Sequence, residues 1–417
     1  MIRSRPEAVD RSTFGTDGVR AETPLKDARL PPRKVLFVCP WVPSRLRPRS
    51  LGLLKILLSA GHSVSVVALT GPGEIEDDLA ELGVRFRLAT SRRIFSFARA
   101  AAALPSRKSL QTAYCSGIQF RGLVRAEAAR FNPDVVHFNV LRSTVDFDRF
   151  ASIVRIVDLD DIRSDYYRQV ASDYSLPSGR RAIARLERPR MKSREAALAA
   201  SADAVLLSSP AEAIGARSYV IRTPMEFPGN TLNRQRTNSR NVLFVGKLDY
   251  EANVEAVLSF VRDAWPAVFA ADERARLHIV GANPPDAIRS LVSESITVHA
   301  DVPAVWPFYD EAAVAIVPVE SATGVQMKLL QAFVAGVPVV ASSITAAQAG
   351  LKPGHGVLVA ESGPAWANAV IRILRDQQLR AELVADAYEH LKPWAQDQVA
   401  TELQSAYRAA VVSQESR

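Results

Sequence analysis

Short apolar runs, separated by longer stretches of mixed polarity, repeat along the first half of the chain. Their β-branched residues and unbroken hydrophobicity are typical of strands that are buried on both faces of a sheet. The stretches between them have helical spacing and include a long charged segment over about 164–200. Such alternation predicts a parallel sheet that is covered by helices on both faces. The runs are KVLFVCP, SVSVVAL, VRFRL, PDVVHF, SIVRIVDL and ADAVLLSS.

The same pattern starts again after a polar segment that is rich in Pro, Gly and Asn. Its runs are NVLFVG, RLHIVG, SITVH, VAIVPV, VPVVAS and HGVLVA. We therefore predict an α/β protein of two tandem doubly wound, Rossmann-like domains with parallel sheets, whose substrates bind in a cleft at the carboxyl ends of the strands. The predicted parts are a disordered tail over 1–32, a first domain over 33–223, a linker over 224–240, a second domain over 241–393 and a last helix over 394–417.

Composition places the chain among ordinary globular proteins, with 48% hydrophobic and 23% charged residues in a length of 417. No apolar run approaches the ~20 residues that cross a bilayer, and the first residues lack the apolar core of a secretory signal. Two cysteines, Cys39 and Cys115, are too few for a disulfide framework and lack the spacing of a zinc site. We therefore expect a cytoplasmic protein.

The formal net charge of +8 favours anionic partners, which include phosphorylated substrates, anionic lipid surfaces and nucleic acid. A solvated basic surface without a specific partner is the alternative. Nucleic acid is not expected as a partner, because the chain has no aromatic and basic platform and no recognised nucleic-acid-binding module.

The segment from Val314 to Ser342 has the most specific chemistry. It predicts a strand, a small polar loop, a helix that opens near Gly324 and a second strand. Lys328 lies one turn from the predicted helix N-terminus, and Gln331 follows on nearly the same face. Backbone N–H groups, a helix dipole and a lysine together form an anion site. An amide beside them can bind a sugar hydroxyl, so the segment suits the diphosphate and ribose of a nucleotide-sugar.

A second lysine follows the first strand of the second domain. Gly246 ends that strand, and Lys247 comes next, where its side chain can meet a phosphate from the side opposite Lys328. A solvated surface lysine is the alternative. GxGxxG is absent after the first strand of either domain, which argues against a dinucleotide-dependent oxidoreductase. Backbone groups around Val302 are candidates for binding the nucleobase, and a plain connecting loop is the alternative there.

These residues give the second half a resemblance to the nucleotide-sugar-binding domain of family 4 retaining glycosyltransferases of the GT-B fold. Exopolysaccharide-associated sugar transferases carry a Gly-(Ile/Val)-Gln-x-Lys-(Leu/Val)-Leu-Glu-Ala segment, and residues 324–332 are similar to it, with Gly324, Val325 and Lys328 in the matching places. The resemblance covers about residues 33–412 and is loose in the first half. It implies a GT-B architecture in which the last helix crosses back onto the first domain.

The activity that the resemblance implies is metal-independent transfer of a hexosyl group, with retention at the anomeric carbon. The donor would be a nucleotide-sugar and the acceptor a glycan or lipid-linked sugar in polysaccharide biosynthesis, with no cofactor and no metal. Lys247, Lys328 and the helix start at Gly324 would stabilise the charge that develops on the departing diphosphate. No side-chain base is needed if the acceptor hydroxyl gives its proton to a phosphate oxygen.

The chain departs from the family pattern at two places. Family members commonly show Glu-x7-Glu, whereas this chain has Thr323 and Gln331 there, and Glu320 comes three residues early. A neutral amide makes a weaker bond to a ribose hydroxyl than a carboxylate does. Many relatives also have His-x-His after the PDVVH-type strand, where this chain has His137 and Asn139, so an amide takes the usual catalytic position. His137 as a satisfied histidine at a strand end is the alternative.

Charged residues of the first half are candidates for the acceptor and phosphate side. Arg47 and Arg49 lie in the first loop, where guanidinium groups suit phosphate oxygens, or are simply solvated. Asp158, Asp160 and Asp161 have the Asp-x-Asp pattern of a divalent-metal site, but that site belongs to the other large glycosyltransferase fold. We expect no metal here, and helix capping or lining of the acceptor side are the alternatives.

The segment SRRIFSFARAAAALPSRKS has basic ends around apolar residues. It suits contact with an anionic membrane, which would place the protein peripherally on the inner face of the plasma membrane; packing against the first domain is the alternative. Two other functions remain open, a nucleotide-sugar epimerase and a nucleotide-sugar-binding protein with weak or no activity.

Overall fold

The computed structural model describes residues 30–71, 76–172, 177–209, 213–225, 239–320 and 325–416. The chain divides into two compact units, Met1–Pro224 with Val399–Arg417, and Met225–Gln398. The predicted disordered tail lies outside the described residues as far as residue 29, and the predicted linker does so over 226–238.

A seven-stranded parallel sheet forms the centre of the first unit, in the order β3-β2-β1-β4-β5-β6-β7. Val35 of the central strand pairs with Val64 on one side and Val135 on the other, as expected for the apolar runs. All six predicted runs are strands, and a seventh, β7, was not predicted. The strands are β1 (Lys34–Cys39), β2 (Ser63–Thr70), β3 (Arg85–Thr90), β4 (Val135–Asn139), β5 (Val154–Asp160), β6 (Ala204–Leu207) and β7 (Ser218–Val220).

Helices cover both faces of this sheet. The charged stretch that the sequence presents as continuous forms two helices, Arg163–Ser172 and Ser178–Ser201. Between β4 and β5 the described chain has two 3₁₀ turns, Leu141–Ser143 and Phe147–Phe150, in place of an α-helix. The helices are α1 (Pro48–Ser59), α2 (Asp77–Glu81), α3 (Arg93–Ala102), α4 (Leu110–Cys115), α5 (Ile118–Phe131), α6 (Arg163–Ser172) and α7 (Ser178–Ser201).

The second unit has a six-stranded parallel sheet in the order β10-β9-β8-β11-β12-β13. Its first strand sits in the middle, as in the first unit, because the chain winds outward in both directions. The strands are β8 (Asn241–Val245), β9 (Arg276–Gly281), β10 (Ile296–Ala300), β11 (Ala312–Val317), β12 (Val339–Ala341) and β13 (Val357–Val359).

Eight helices are described in the second unit. One of them, α12, begins at Met327 with Gln326 as its N-cap, three residues after the predicted opening at Gly324. Residues 321–324 lie outside the described residues, so the predicted roles of Thr323 and Gly324 stay predictions. The helices are α8 (Glu251–Asp263), α9 (Trp265–Ala271), α10 (Asp286–Arg289), α11 (Trp306–Glu311), α12 (Met327–Val334), α13 (Ser343–Gln348), α14 (Gly363–Arg375) and α15 (Gln377–Leu391).

The last helix, α16 (Gln396–Glu415), belongs to the first unit from Val399 onward. Val399, Leu403 and Tyr407 are fully buried in the cluster that also contains the core residues of β1 and α1. The other face of the same sheet has its own cluster beneath α5 and α7. Of the helices in the described ranges, none combines the length and apolar character that a membrane span requires.

Candidate functional site

A cavity of about 360 Å³ lies at the carboxyl edge of the second sheet. It is lined by the end of β8 with Gly246 and Lys247, by the first turn of α8, and by the start of α12. Among the described residues, no side chain caps the N-terminus of either helix. Helix N-termini carry a partial positive charge, so two of them at one cavity favour an anionic ligand.

Lys328 is held at this cavity by neutral groups. Its Nζ donates to Oδ1 of Asn253 at 2.6 Å and lies 4.7 Å from the centroid of the Phe244 ring. The Asn253 amide is itself oriented, since its Nδ2 donates to the carbonyl oxygen of Lys247 at 2.8 Å. Burial lowers the pKa of Lys328 from its ordinary 10.5 to about 7. The ammonium group therefore has a stabilising contact but no neutralising carboxylate within the described residues.

The local fold places the ammonium group by close packing. Leu329, Leu330 and Phe333 bury the apolar stripe of α12, which leaves Lys328 and Gln331 on the cavity side. The buried Tyr309 donates from its hydroxyl to the carbonyl oxygen of Lys328 at 3.2 Å. A Cβ on Gly246 would lie 3.0 Å from the Lys328 Nζ, so a larger residue there would crowd the ammonium group and glycine permits its close approach.

The other predicted donor-side residues differ in their positions. Lys247 lines the cavity, but its side chain is 66% exposed and pairs with Asp249 at 3.2 Å. Val325 and Gln331 also line the cavity, and Gln331 makes no side-chain hydrogen bond within the described part of the chain. Glu320 is exposed and Val302 packs against a hydrophobic cluster, and neither lines the cavity. The structure therefore brings together Gly246, Lys247, Val325, Lys328 and Gln331.

Asn253, Phe244 and Tyr309 are site residues that the sequence analysis missed. Asn253 follows the paired Gly246 and Lys247 by only a few residues and occupies the first turn of α8. The sequence did offer a signal for Asn253: it is a polar residue in the first turn of a helix, and that helix follows a strand that ends in glycine. Nothing in the sequence marks Phe244 or Tyr309, because their roles depend on the tertiary position of Lys328.

His137 and Asn139 were predicted as catalytic, and the structure places both side chains in the interior of the first unit. His137 is fully buried on β4, with Nδ1 2.7 Å from the Tyr407 hydroxyl and its ring stacked on Phe37. Burial lowers its pKa to about 3, so the imidazole is neutral near pH 7. Asn139 is buried as well, and its amide is occupied by Ser50 at 2.5 Å and Asp158 at 2.9 Å. Both side chains bond within the first unit, and their predicted catalytic role stays a prediction.

Arg49, which was predicted on the phosphate side, is buried and bound within the first unit. Its Nη2 donates to Oδ1 of Asp158 at 2.7 Å, and its Nη1 donates to the carbonyl oxygen of Ile221 at 2.6 Å. Asp160 lies 3.3 Å from the same guanidinium and has a φ of 64°. Arg47, by contrast, is exposed and lies over the Trp41 ring. Of the two arginines predicted in the first loop, Arg47 is therefore at the surface and Arg49 is not.

A metal site has no support in the described residues, which contain no group of three or more His, Cys, Asp or Glu side chains arranged to bind an ion. Asp158 is instead neutralised by Arg49. The predicted absence of a metal remains an expectation.

Comparison with known proteins now decides the family of the second unit. Residues 239–376 match the family model described as glycosyl transferases group 1. They form a group 1 glycosyltransferase domain. The match falls inside the unit that contains the Lys328 cavity. No curated protein sequence matches the chain significantly.

Solved GT-B structures resemble the whole chain. Sucrose-phosphate synthase from Thermosynechococcus elongatus is 18% identical, with a TM-score of 0.63, and the match covers 90% of this chain and 98% of that one. HepE of Anabaena, solved with UDP and glucose, is 13% identical, with a TM-score of 0.60 over 89% and 98% of the two chains. TarM of S. aureus is 8% identical, with a TM-score of 0.62 over 91% and 99%. The predicted GT-B fold and the recognition as a glycosyltransferase are confirmed.

Replacing Arg49 by Met should destabilise the first unit, because Asp158 would remain buried without its partner. Loss of one member of a buried ion pair costs about 3–5 kcal/mol. We expect the free energy of unfolding, measured in urea, to fall by that amount, whereas the exposed neighbour Arg47→Met should change it by less than about 1 kcal/mol. A stable Arg49→Met protein that had lost activity would instead place Arg49 in contact with substrate.

Binding of a nucleoside diphosphate should be coupled to proton uptake at Lys328. The free lysine has a pKa of about 7, and a bound diphosphate raises it. Affinity should therefore be highest below pH 7 and fall by up to about tenfold per pH unit above it, until the pKa of the complex is reached. Calorimetry with UDP and GDP between pH 6 and 9, in buffers of different ionisation enthalpy, measures the uptake.

Lys328→Met is the control for this measurement, because it removes the titrating group and leaves ionisation of the ligand phosphate unchanged. Its affinity should vary with pH only as the ligand does. Identical pH profiles for the two proteins would show that Lys328 does not contact the diphosphate.

Proposed function

We propose that the protein transfers a hexosyl group from a nucleotide-sugar to a glycan or lipid-linked acceptor. The observation that carries this proposal is the partly buried lysine between two uncapped helix N-termini in a group 1 glycosyltransferase domain. HepE of Anabaena has been solved with UDP-glucose, which supports a nucleotide-sugar as the donor. The panel of donors described below distinguishes a uracil from a guanine base and identifies the sugar that is transferred.

The departing diphosphate would bind at the cavity through Lys328 and the start of α12. Cleavage of the glycosidic bond moves negative charge onto the diphosphate, so a cation held there stabilises the transition state more than the ground state. Lys247 would add a second, mobile cation, since its exposed side chain is bound only to Asp249 among the described residues. We propose retention of anomeric configuration and no metal, in keeping with the family resemblance, with the acceptor proton passing to a phosphate oxygen.

An epimerase is less well supported than a transferase. Such an enzyme needs acid and base carboxylates beside the sugar. The described lining of the Lys328 cavity includes no Asp or Glu side chain. We therefore favour a transferase over an epimerase. In keeping with the family resemblance, we further propose a role in polysaccharide biosynthesis, including exopolysaccharide formation, with peripheral attachment to the inner face of the plasma membrane.

The proposal is tested by nucleotide release from a panel of UDP- and GDP-sugars with glycan and lipid-linked acceptors. Wild-type protein should release nucleotide only when an acceptor is present, without inhibition by EDTA, and NMR of the product should show the anomeric configuration of the donor. Lys328→Ala should lower kcat by about a hundredfold or more. Lys352→Ala, at an exposed lysine of the same unit, is the matched control and should be silent. An unchanged kcat in Lys328→Ala would defeat the assignment.

A nucleotide-sugar-binding protein with weak or no activity is the second candidate, favoured by Gln331 at the place of the family glutamate. Gln331→Glu would provide a charged acceptor for the ribose hydroxyls, and we expect donor affinity to rise about fivefold, corresponding to ~1 kcal/mol. Turnover that appears only in Gln331→Glu would identify the natural protein as a binder. A large loss of affinity would mean that Gln331 does not face the ribose.

A further inference from the structure

Helix α3 of the first unit has an apolar outer face. Its exposed residues after Arg93 are all apolar: Ile94, Phe95, Phe97, Ala98, Ala101 and Ala102. Ile94 is 73% exposed, Phe95 56% and Phe97 64%. Surface helices normally turn their polar side outward. We call this set of six residues the α3 face.

Two polar residues of α3, Ser96 and Arg99, point inward and fix this orientation. The Arg99 Nη2 donates to the hydroxyls of Ser91 and Ser96 at 3.1 and 2.8 Å, and to the carbonyl oxygen of Tyr114 at 2.9 Å. Ser96 is buried in this network. Rotation of the helix about its axis would break these hydrogen bonds, so they hold the α3 face outward.

A large basic cavity lies beside α3. The connection from β4 to β5 has 3₁₀ turns instead of an α-helix, and a cavity of about 980 Å³ lies between that connection, α3, α4, α5 and α7. Eight of its lining side chains are Arg or Lys and two are Asp. One of them, Arg99, has a buried Nε with no hydrogen-bond acceptor in the described part of the chain.

Five of the eight cations of this cavity are bound within the protein, including Arg99 and also Arg194, whose Nη2 donates to the carbonyl oxygen of Thr144 at 3.1 Å. Arg121 and Arg125 pair with Asp146, and Arg190 donates to the carbonyl oxygens of the α3–α4 connection, including that of Leu104 at 2.6 Å. These residues shape the wall. Three others, Arg107, Lys108 and Arg149, are exposed, and their side chains have no ion pair or hydrogen bond within the described residues. They are available to an anionic ligand.

We propose that this surface docks on an anionic phospholipid bilayer, with the α3 face in the interfacial region and a lipid phosphate in the basic cavity. Apolar side chains next to unpaired cations match the two layers of such a membrane, the acyl boundary and the phosphates. A soluble anion would use the cavity but would leave the α3 face uncovered. Ile118 at the start of α5 is a further exposed apolar residue of the first unit, with 90% of its surface accessible.

This inference rests on the membrane location in the proposed function and deepens it, but its test measures lipid binding alone. A chain that binds vesicles and releases no nucleotide would refute the proposed activity and leave the docking surface intact. A chain that transfers sugar to soluble acceptors but does not bind vesicles would refute the docking surface and leave the proposed activity intact.

The experiment is co-sedimentation of the full chain with vesicles of phosphatidylcholine, alone or mixed equally with phosphatidylglycerol. Wild-type protein should partition at least about tenfold more strongly onto the anionic vesicles. Arg107→Glu with Lys108→Glu should reduce this partitioning by more than about tenfold, since each basic residue near an anionic surface contributes about fivefold. Ile94→Ser with Phe95→Ser should reduce it comparably.

Matched controls are Lys352→Glu and Val292→Ser, which make the same kinds of change at exposed positions of the second unit. Both should bind vesicles like wild type, and unchanged thermal melting should show that all variants are folded. Failure of the wild type to bind anionic vesicles would overturn the proposal. So would full displacement by soluble glycerol phosphate together with no effect of Ile94→Ser and Phe95→Ser, because that result identifies a soluble anion site. A lipid-free dimer that Phe95→Ser converts to monomer in light scattering would instead assign the α3 face to a second copy of the chain.

Discussion

A partly buried ammonium group, with no neutralising carboxylate among the described residues, is the constraint around which the second unit is organised. Lys328 has only the Asn253 amide oxygen and the face of Phe244 as described partners. Burial lowers its pKa to about 7, and each pKa unit corresponds to about 1.4 kcal/mol, so the free protein disfavours the charged form by several kcal/mol relative to water. Binding of an anion beside Lys328 would offset this cost, because it stabilises the charged form of the lysine.

The surrounding fold explains how such a costly group is tolerated. The apolar stripe of α12 and the buried Tyr309 fix the helix that carries the lysine. At the edge of the sheet, a Cβ on Gly281 would collide with the carbonyl oxygen of Gly246, so two glycines let β8 and β9 end side by side under the cavity. The cost of burying the cation is offset by a core that would be formed in any doubly wound domain. The site therefore needs few dedicated residues.

Much of the fold was predictable because buried parallel strands have unbroken apolar runs. All twelve predicted runs became strands, whereas Ser218–Val220 was missed because this short edge strand is only half-buried and contains a serine and a tyrosine. Lys328 and Gln331 were predictable from a local motif. Asn253 lies 75 residues from Lys328, and Asp158 lies 109 residues from Arg49, so neither pairing could be read from spacing along the chain.

The two sheets end in opposite electrostatic states, and this difference assigns their roles. In the first unit, the polar groups at the strand ends satisfy one another: Arg49 neutralises Asp158, and Asn139 bonds to both Ser50 and Asp158. A closed network of this kind stabilises a fold but offers no charge to a ligand.

In the second unit the corresponding edge keeps an uncompensated cation and two uncapped helix ends among its described residues. The proposed binding of a diphosphate is therefore assigned to the second unit. The exposed cations of the first unit's cavity, Arg107, Lys108 and Arg149, lie beside α3 rather than in the network at the strand ends. Arg47 lies exposed outside that network, so among the predicted residues of the first unit it can reach a ligand without breaking these bonds.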